Sequence, residues 1–199
     1  MMLRRVRSKH LTGLRGLTLV ELLTVLVVAA VLVTLAIPSF KRTIQSSNIA
    51  SNVNGFLADM RLARSMAMRL GGSVILCRSD APEAANPVCS TSTNSQQGWS
   101  SGWIVFQDSN NDGSRSASEP LLHVQSPIAA VDAITENNTG ASTVFRFTAT
   151  GRMLVAGSAA QLRFGGNSFS ADVQRTVCVN SAGRARIAGN GGASCGVDR

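Results

Sequence analysis

Residues 16–40 read GLTLVELLTVLVVAAVLVTLAIPSF, and this stretch decides the architecture. From Leu17 to Ile37 the run is apolar except for Thr18, Glu21, Thr24 and Thr34. Twenty-one residues of helix extend about 31 Å, the thickness of a bilayer core. Upstream, Arg4, Arg5, Arg7, Lys9 and Arg15 stand with no acid, so residues 1–16 carry +5. That basic flank places the N-terminus in the cytoplasm and predicts export of everything after Phe40. No A-x-A-like site follows the run, which is therefore retained rather than removed as a signal peptide. Glu21 inside it costs about 3 kcal/mol on insertion scales and calls for a partner. Pro38, lacking a backbone donor, kinks the helix or ends it.

Beyond this segment, Ile49, Val53, Phe56, Leu57, Met60, Ala63, Ala67 and Leu70 recur at helical spacing, with Arg61, Arg64 and Arg69 mostly elsewhere around the helix. Gly71-Gly72 is a stop signal. Short β-like runs follow: 73–78, 103–107, 121–125, 144–148, 162–164, 175–180 and 184–188, separated by Gly, Ser, Asn or Asp. The chain divides on this reading into 1–16, 17–40, 41–72 and a β-rich domain 73–199. A helix followed by mostly antiparallel strands predicts an α+β fold with the helix packed on sheet.

Gly16-Leu17-Thr18-Leu19-Val20-Glu21-Leu22-Leu23 resembles the prepilin processing motif of type IV pilins and type II secretion pseudopilins. The resemblance implies cleavage between Gly16 and Leu17 by a prepilin peptidase, and N-methylation of Leu17, which stands where phenylalanine is usual. It also implies pairing of Glu21 with the terminal amine of a neighbouring subunit, and a helix that bends or melts at Pro38 on packing. Gly98-Trp99-Ser100-Ser101-Gly102-Trp103-Ile104-Val105-Phe106, then an Asp/Asn/Gly loop and Glu119-Pro120-Leu121-Leu122, resembles the GspH/FimT family of minor pilins. The family implies the type IV pilin fold. It also implies a subunit held first in the bacterial inner membrane, then in the pilus, periplasm and cell surface with other major and minor pilins. A type II secretion pseudopilin is the alternative of the same architecture.

Charge is distributed unevenly. The formal net charge is +8; residues 17–145 balance at −2 and residues 146–199 at +5. Arg146, Arg152, Arg163, Arg175, Arg184 and Arg186 make this C-terminal end basic, with no lysine after Lys41. Arg184 and Arg186, spaced i, i+2, share one face of a strand, and Gly183 permits a tight turn before them. Guanidinium suits phosphate through bidentate bonds, so the cluster is a candidate for double-stranded DNA. Gly183-Arg184-Ala185-Arg186 also resembles the GRxR motif of FimT-type minor pilins that bind DNA in natural transformation. Charge on an edge strand that blocks aggregation is the competing reading.

The four cysteines form two close pairs, Cys77 with Cys89 and Cys178 with Cys195. Three connectivities are open; sequential pairing closes a short loop in each case, and buried free thiols are the alternative. Asp108, Asn110, Asp112 and Glu119 match the spacing of a calcium loop, with Gly113 at the turn. However, the loop follows a strand, Arg115 stands where an aliphatic is wanted, and such residues form turns unaided. No cofactor or metal is expected. An enzyme is not expected either: after leader removal His123 is the sole imidazole, tyrosine is absent, and no nucleophile elbow or phosphate loop appears.

Overall fold

A computed structural model of the chain describes residues 16, 18–92, 98–136, 144–154 and 160–196, without the side chains of 35–39. Residues 1–15 of the leader and Leu17 thus lie outside the described residues. Helix α1 is Leu19–Leu70, and contacts divide the chain into one unit ending at Lys41 and another from Arg42 to Arg199. In the first unit the apolar side chains are unpartnered: Leu22, Val25, Leu26, Val28 and Leu32 are all at least 55% exposed. Among the described residues no helix is long and apolar enough to cross a membrane. The expected span takes in residues 35–39, and Pro38 within them falls inside the bounds of α1 with its side chain undescribed.

The second unit holds the core. There α1 buries Ile49, Val53, Phe56, Leu57, Met60, Ala63 and Ala67, a stripe at three- and four-residue steps. Leu70, expected in that stripe, is 42% exposed, because it sits beside the stop at Gly71. The stripe packs against two antiparallel sheets. The first, in spatial order β3-β2-β1-β5, comprises Leu121–Gln125, Trp103–Asp108, Ser73–Arg78 and Val144–Phe147. The second, β4-β6-β7-β8, comprises Ala133–Glu136, Ala160–Gly165, Arg175–Val179 and Ala185–Asn190. Phe56 meets Phe145 of the first sheet and Phe164 of the second at 6.1 and 5.8 Å between ring centroids. Trp99 and Trp103 complete the set at 5.7 and 5.5 Å, all edge-on as ring quadrupoles favour. One ring therefore joins helix and both sheets.

Strand β1 is buried throughout, which explains its unbroken hydrophobic run. Val74 and Leu76 face the main core, while Ile75 and Cys77 join Ile104 and Phe106 in a second cluster beneath Cys89 and Val144. The Cys77–Cys89 bond fastens the following loop over that cluster. Inside the loop the Arg78 guanidinium donates to Ser90 Oγ at 2.6 Å and to the Ser92 carbonyl. Strand β4 has no counterpart among the expected runs. It is four residues long, pairs with β6 alone within its sheet, and carries Ile134 as its one large apolar residue.

Candidate functional site

At the head of α1, Thr18 and Glu21 form a capping box. Glu21 N–H donates to Thr18 Oγ1 at 3.2 Å, and Thr18 N–H donates to Glu21 Oε2 at 3.2 Å. The Thr18 hydroxyl lies 3.3 Å from the same oxygen. Helix starts leave such donors orphaned, and S/T-x-x-E satisfies them reciprocally. The Thr-x-x-Glu spacing of residues 18–21 carries this signal in the sequence.

The loop Asp108–Glu119 spends its carboxylates on its own chain. Asp108, fully buried, receives the Arg146 guanidinium at 2.9 Å and Gly113 N–H at 3.2 Å. Glu119 accepts Ser109 N–H at 2.8 Å and Ser116 N–H at 2.9 Å. Burial pushes its carboxyl up, but backbone donors at Ser116, Ser109 and Asn110 outweigh that and hold it below its ordinary 4.5. Asn110 and Asp112 cap nearby backbone at 3.1 and 2.7 Å. Among the described residues no group of three or more His, Cys, Asp or Glu could hold a metal ion. At Asp108 a guanidinium occupies the place a cation would take.

The arginines separate into structural and outward-facing sets. Arg146 belongs to the loop just described, and donates to Ser73 Oγ at 2.9 Å. Arg175 opposes core-facing Phe164 across the β6–β7 ladder, and its guanidinium donates to the carbonyls of Asp172, Val173 and Gln174. It stands apart from the others. Arg186 opposes Cys178, which lies between core-facing Val177 and Val179; period-two alternation therefore turns Arg186 away from the core. Arg163 opposes Thr176 and shares that outer side, half-buried. Arg184 and Arg152 are exposed, and their turns touch.

That contact explains Gly183. The β7–β8 hairpin closes through Asn180 N–H to the Arg184 carbonyl at 3.0 Å and Gly183 N–H to the Asn180 carbonyl at 2.9 Å. Gly183 has φ +74°, the left-handed position of a three-residue hairpin loop. A Cβ there would lie 2.8 Å from the Phe147 ring and 3.2 Å from the Gly151 carbonyl oxygen. Glycine is thus demanded twice, by conformation and by space. Outside the hairpin, Cys178–Cys195 ties the chain's last described turn to the outer face of the sheet, and Cys195 N–H donates to Gln161 at 3.3 Å.

Sequence reasoning passed over a buried polar group on α1. Trp103 Nε1–H donates to Asp59 Oδ2 at 2.8 Å, and His123 Nε2 lies 3.3 Å from Oδ1. Burial raises the Asp59 carboxyl above its ordinary 3.8, an effect partly offset by Trp103 and His123. A lone Asp among helical core positions was the available hint.

A long helix carrying an apolar stripe against two antiparallel sheets is the pilin-like α+β architecture. Residues 52–183 match the family described as Type II transport protein GspH, and the chain belongs to that family. It is a non-enzymatic structural protein, a minor pilin or pseudopilin of a type IV pilus or type II secretion system. The family implies other pilins and prepilin peptidase as partners, membrane anchoring, and a place in the pilus or periplasm. The type IV minor pilin FimU of Pseudomonas aeruginosa is similar in structure, in two crystal forms. In one the TM-score is 0.49 at 17% identity, covering 71% of this chain and 88% of FimU. In the other it is 0.46 at 16%, covering 69% and 90%. No curated protein matches the chain. The family match ends at Gly183, so Arg184 and Arg186 lie just beyond it.

Proposed function

We propose that this subunit is a minor pilin of the type IV pilus, incorporated near the tip and supporting assembly, whose outer arginines capture double-stranded DNA for natural transformation. Cleavage between Gly16 and Leu17, methylation of Leu17, and pairing of Glu21 with a neighbour's terminal amine deliver it to the filament. The observation that carries the DNA reading is the position of Arg184 and Arg186. Both flank Ala185 on an edge strand, turned from the core by the pairing of Arg186 with Cys178. Arg152 is exposed on the adjoining turn, and Arg163 shares the outer side. Arg175, engaged by three carbonyls, is the weakest member of the set.

The test is binding of a 20-base-pair duplex to the full chain in neutral detergent, followed by fluorescence anisotropy over a salt series. Each phosphate contact adds about 0.9 to the slope of log K against log salt. Arg184→Ala/Arg186→Ala is expected to weaken binding at least tenfold and lower that slope by about 2. No binding by the wild type at low salt would sink the DNA reading. The matched family description favours a second reading, a type II secretion pseudopilin. Deletion of the gene separates the two: loss of piliation and DNA uptake supports the first, and loss of protein secretion alone supports the second.

A further inference from the structure

We infer that the free edge of β8 receives an extended segment of a neighbouring protein subunit, one that carries acidic side chains at alternate positions. This goes beyond the DNA reading, which concerns the outer face of the same sheet. Three of the four sheet edges are covered or interrupted. Gly98 bridges Ile134 along β4, and Met153 bridges Phe147 along β5, where Leu154 N–H also donates to the Arg146 carbonyl at 2.8 Å. Strand β3 follows Pro120, and a bulge at Val105/Phe106 breaks its pairing with β2; both devices blunt an edge. Strand β8 stands last in the order β4-β6-β7-β8, and its own register shift falls only after Ile187. Segment 185–187 therefore pairs regularly with β7, and among the described residues no strand pairs with it on the other side.

Backbone direction follows from the hairpin. Asn180 N–H donates to the Arg184 carbonyl at 3.0 Å, and antiparallel pairs alternate between bonded and non-bonded. Cys178–Arg186 is then the next bonded pair, so Ala185 and Ile187 turn their N–H and C=O groups to the free edge. Their side chains point to the helix side, since they oppose core-facing Val179 and Val177. Ile187 is 47% exposed there, only half covered by its own chain. A strand laid along this edge sends every second side chain to the same side. On that side a cleft of about 560 Å³ lies between α1 and the hairpin, and Leu57, Met60, Arg61, Arg64 and Ala185 line it. Arg61 is exposed and Arg64 half-buried, neighbours at i and i+3 on the helix. Among the described residues no carboxylate lines the cleft. Carboxylates at alternate positions of an added strand supply the charge-assisted bonds these guanidinium groups favour. A second copy of β8 fits poorly. The 175–190 hairpin carries three arginines and no acid, so two such edges bring like charges together. Charge selects an acidic partner, and the open backbone selects an extended one.

The probe is a fluorescein-labelled seven-residue peptide alternating glutamate with threonine, titrated by anisotropy into the full chain in neutral detergent. Two companion peptides are titrated beside it. One carries lysine for glutamate; the other is methylated at its backbone nitrogens, which keeps the charge and removes the strand donors. The alternating peptide is expected to bind saturably and to slow amide exchange at Ala185 and Ile187. Exchange at Arg186, whose N–H already faces β7, should not change. Arg61→Ala/Arg64→Ala is expected to weaken peptide binding at least tenfold. Arg69→Ala, at an exposed helix arginine outside the cleft, should change it less than twofold. Ile187→Pro removes an edge donor without touching the β7 ladder, and should weaken binding at least fivefold. Equal binding of the methylated peptide shows attraction without strand pairing and overturns the inference. Equal binding of the lysine peptide overturns the acidic partner. A loss per charge in Arg69→Ala equal to that of the helix pair overturns the cleft. No saturable binding of the alternating peptide up to about 1 mM overturns the proposal outright.

Discussion

The Asp108–Glu119 loop and the β7–β8 hairpin are built from the same turn-forming residue types, yet they treat charge in opposite ways. In the first, Asp108, Glu119 and Arg146 are consumed by one another and by backbone donors. In the second, Arg184 and Arg186 lie exposed in a hairpin, 175–190, whose sequence holds no acidic residue. A closed set of charges stabilises a loop. A set of one sign carries net positive charge to the surface.

The most severe way to break the comparison is to open the closed set. Asp108→Ala leaves Arg146, 20% exposed at its side chain, without its carboxylate. Stability should fall by about 3 kcal/mol in urea unfolding. Arg184→Ala/Arg186→Ala should stay within about 0.5 kcal/mol of wild type by the same measurement. Equal losses would show that the hairpin arginines are structural too.

Gly183→Ala comes next. The residue combines φ +74° with a Cβ clash against the Phe147 ring, so a loss of about 2 kcal/mol is expected in thermal unfolding. Amide exchange should quicken first at Asn180 and Arg184, whose hydrogen bonds close the turn. Uniform quickening across both sheets would contradict a local role.

The smallest effects concern pH and have opposite signs. Glu119, held below 4.5, contributes stability present above that value and lost as pH falls through the lowered folded value. Asp59, raised above 3.8, contributes stability fully present below 3.8 and lost as pH rises through its folded value. Relative to Glu119→Gln, the wild type should therefore lose its advantage on acidification below 4.5. Relative to Asp59→Asn, it should lose ground as pH climbs from 3.8. Parallel slopes in the two denaturation series would refute one of these assignments.

Much of this architecture was legible because period carries it. The helical stripe from Ile49 to Ala67 and the bounds of β1 and β3 follow from spacing and punctuation. Strand β4 escaped because its sequence, Ala133-Ile134-Thr135-Glu136, carries a single large apolar residue. The sorting of arginines escaped for another reason. Arg146, Arg163 and Arg175 look alike as letters, and only strand register decides which faces a buried carboxylate, an outer side or a row of carbonyls. The disulfides lie between, with short loops favouring the observed pairs without excluding others.

The capping box at Thr18 and Glu21 bears on how an acid travels in an apolar segment. Two residues three apart bring their own donors and acceptors, a portable hydration shell that goes wherever the helix goes. Both contacts from Thr18 reach Oε2; the second oxygen, Oε1, accepts no hydrogen bond among the described residues. The carboxylate is thus divided, one oxygen retained for its own chain and one left to offer.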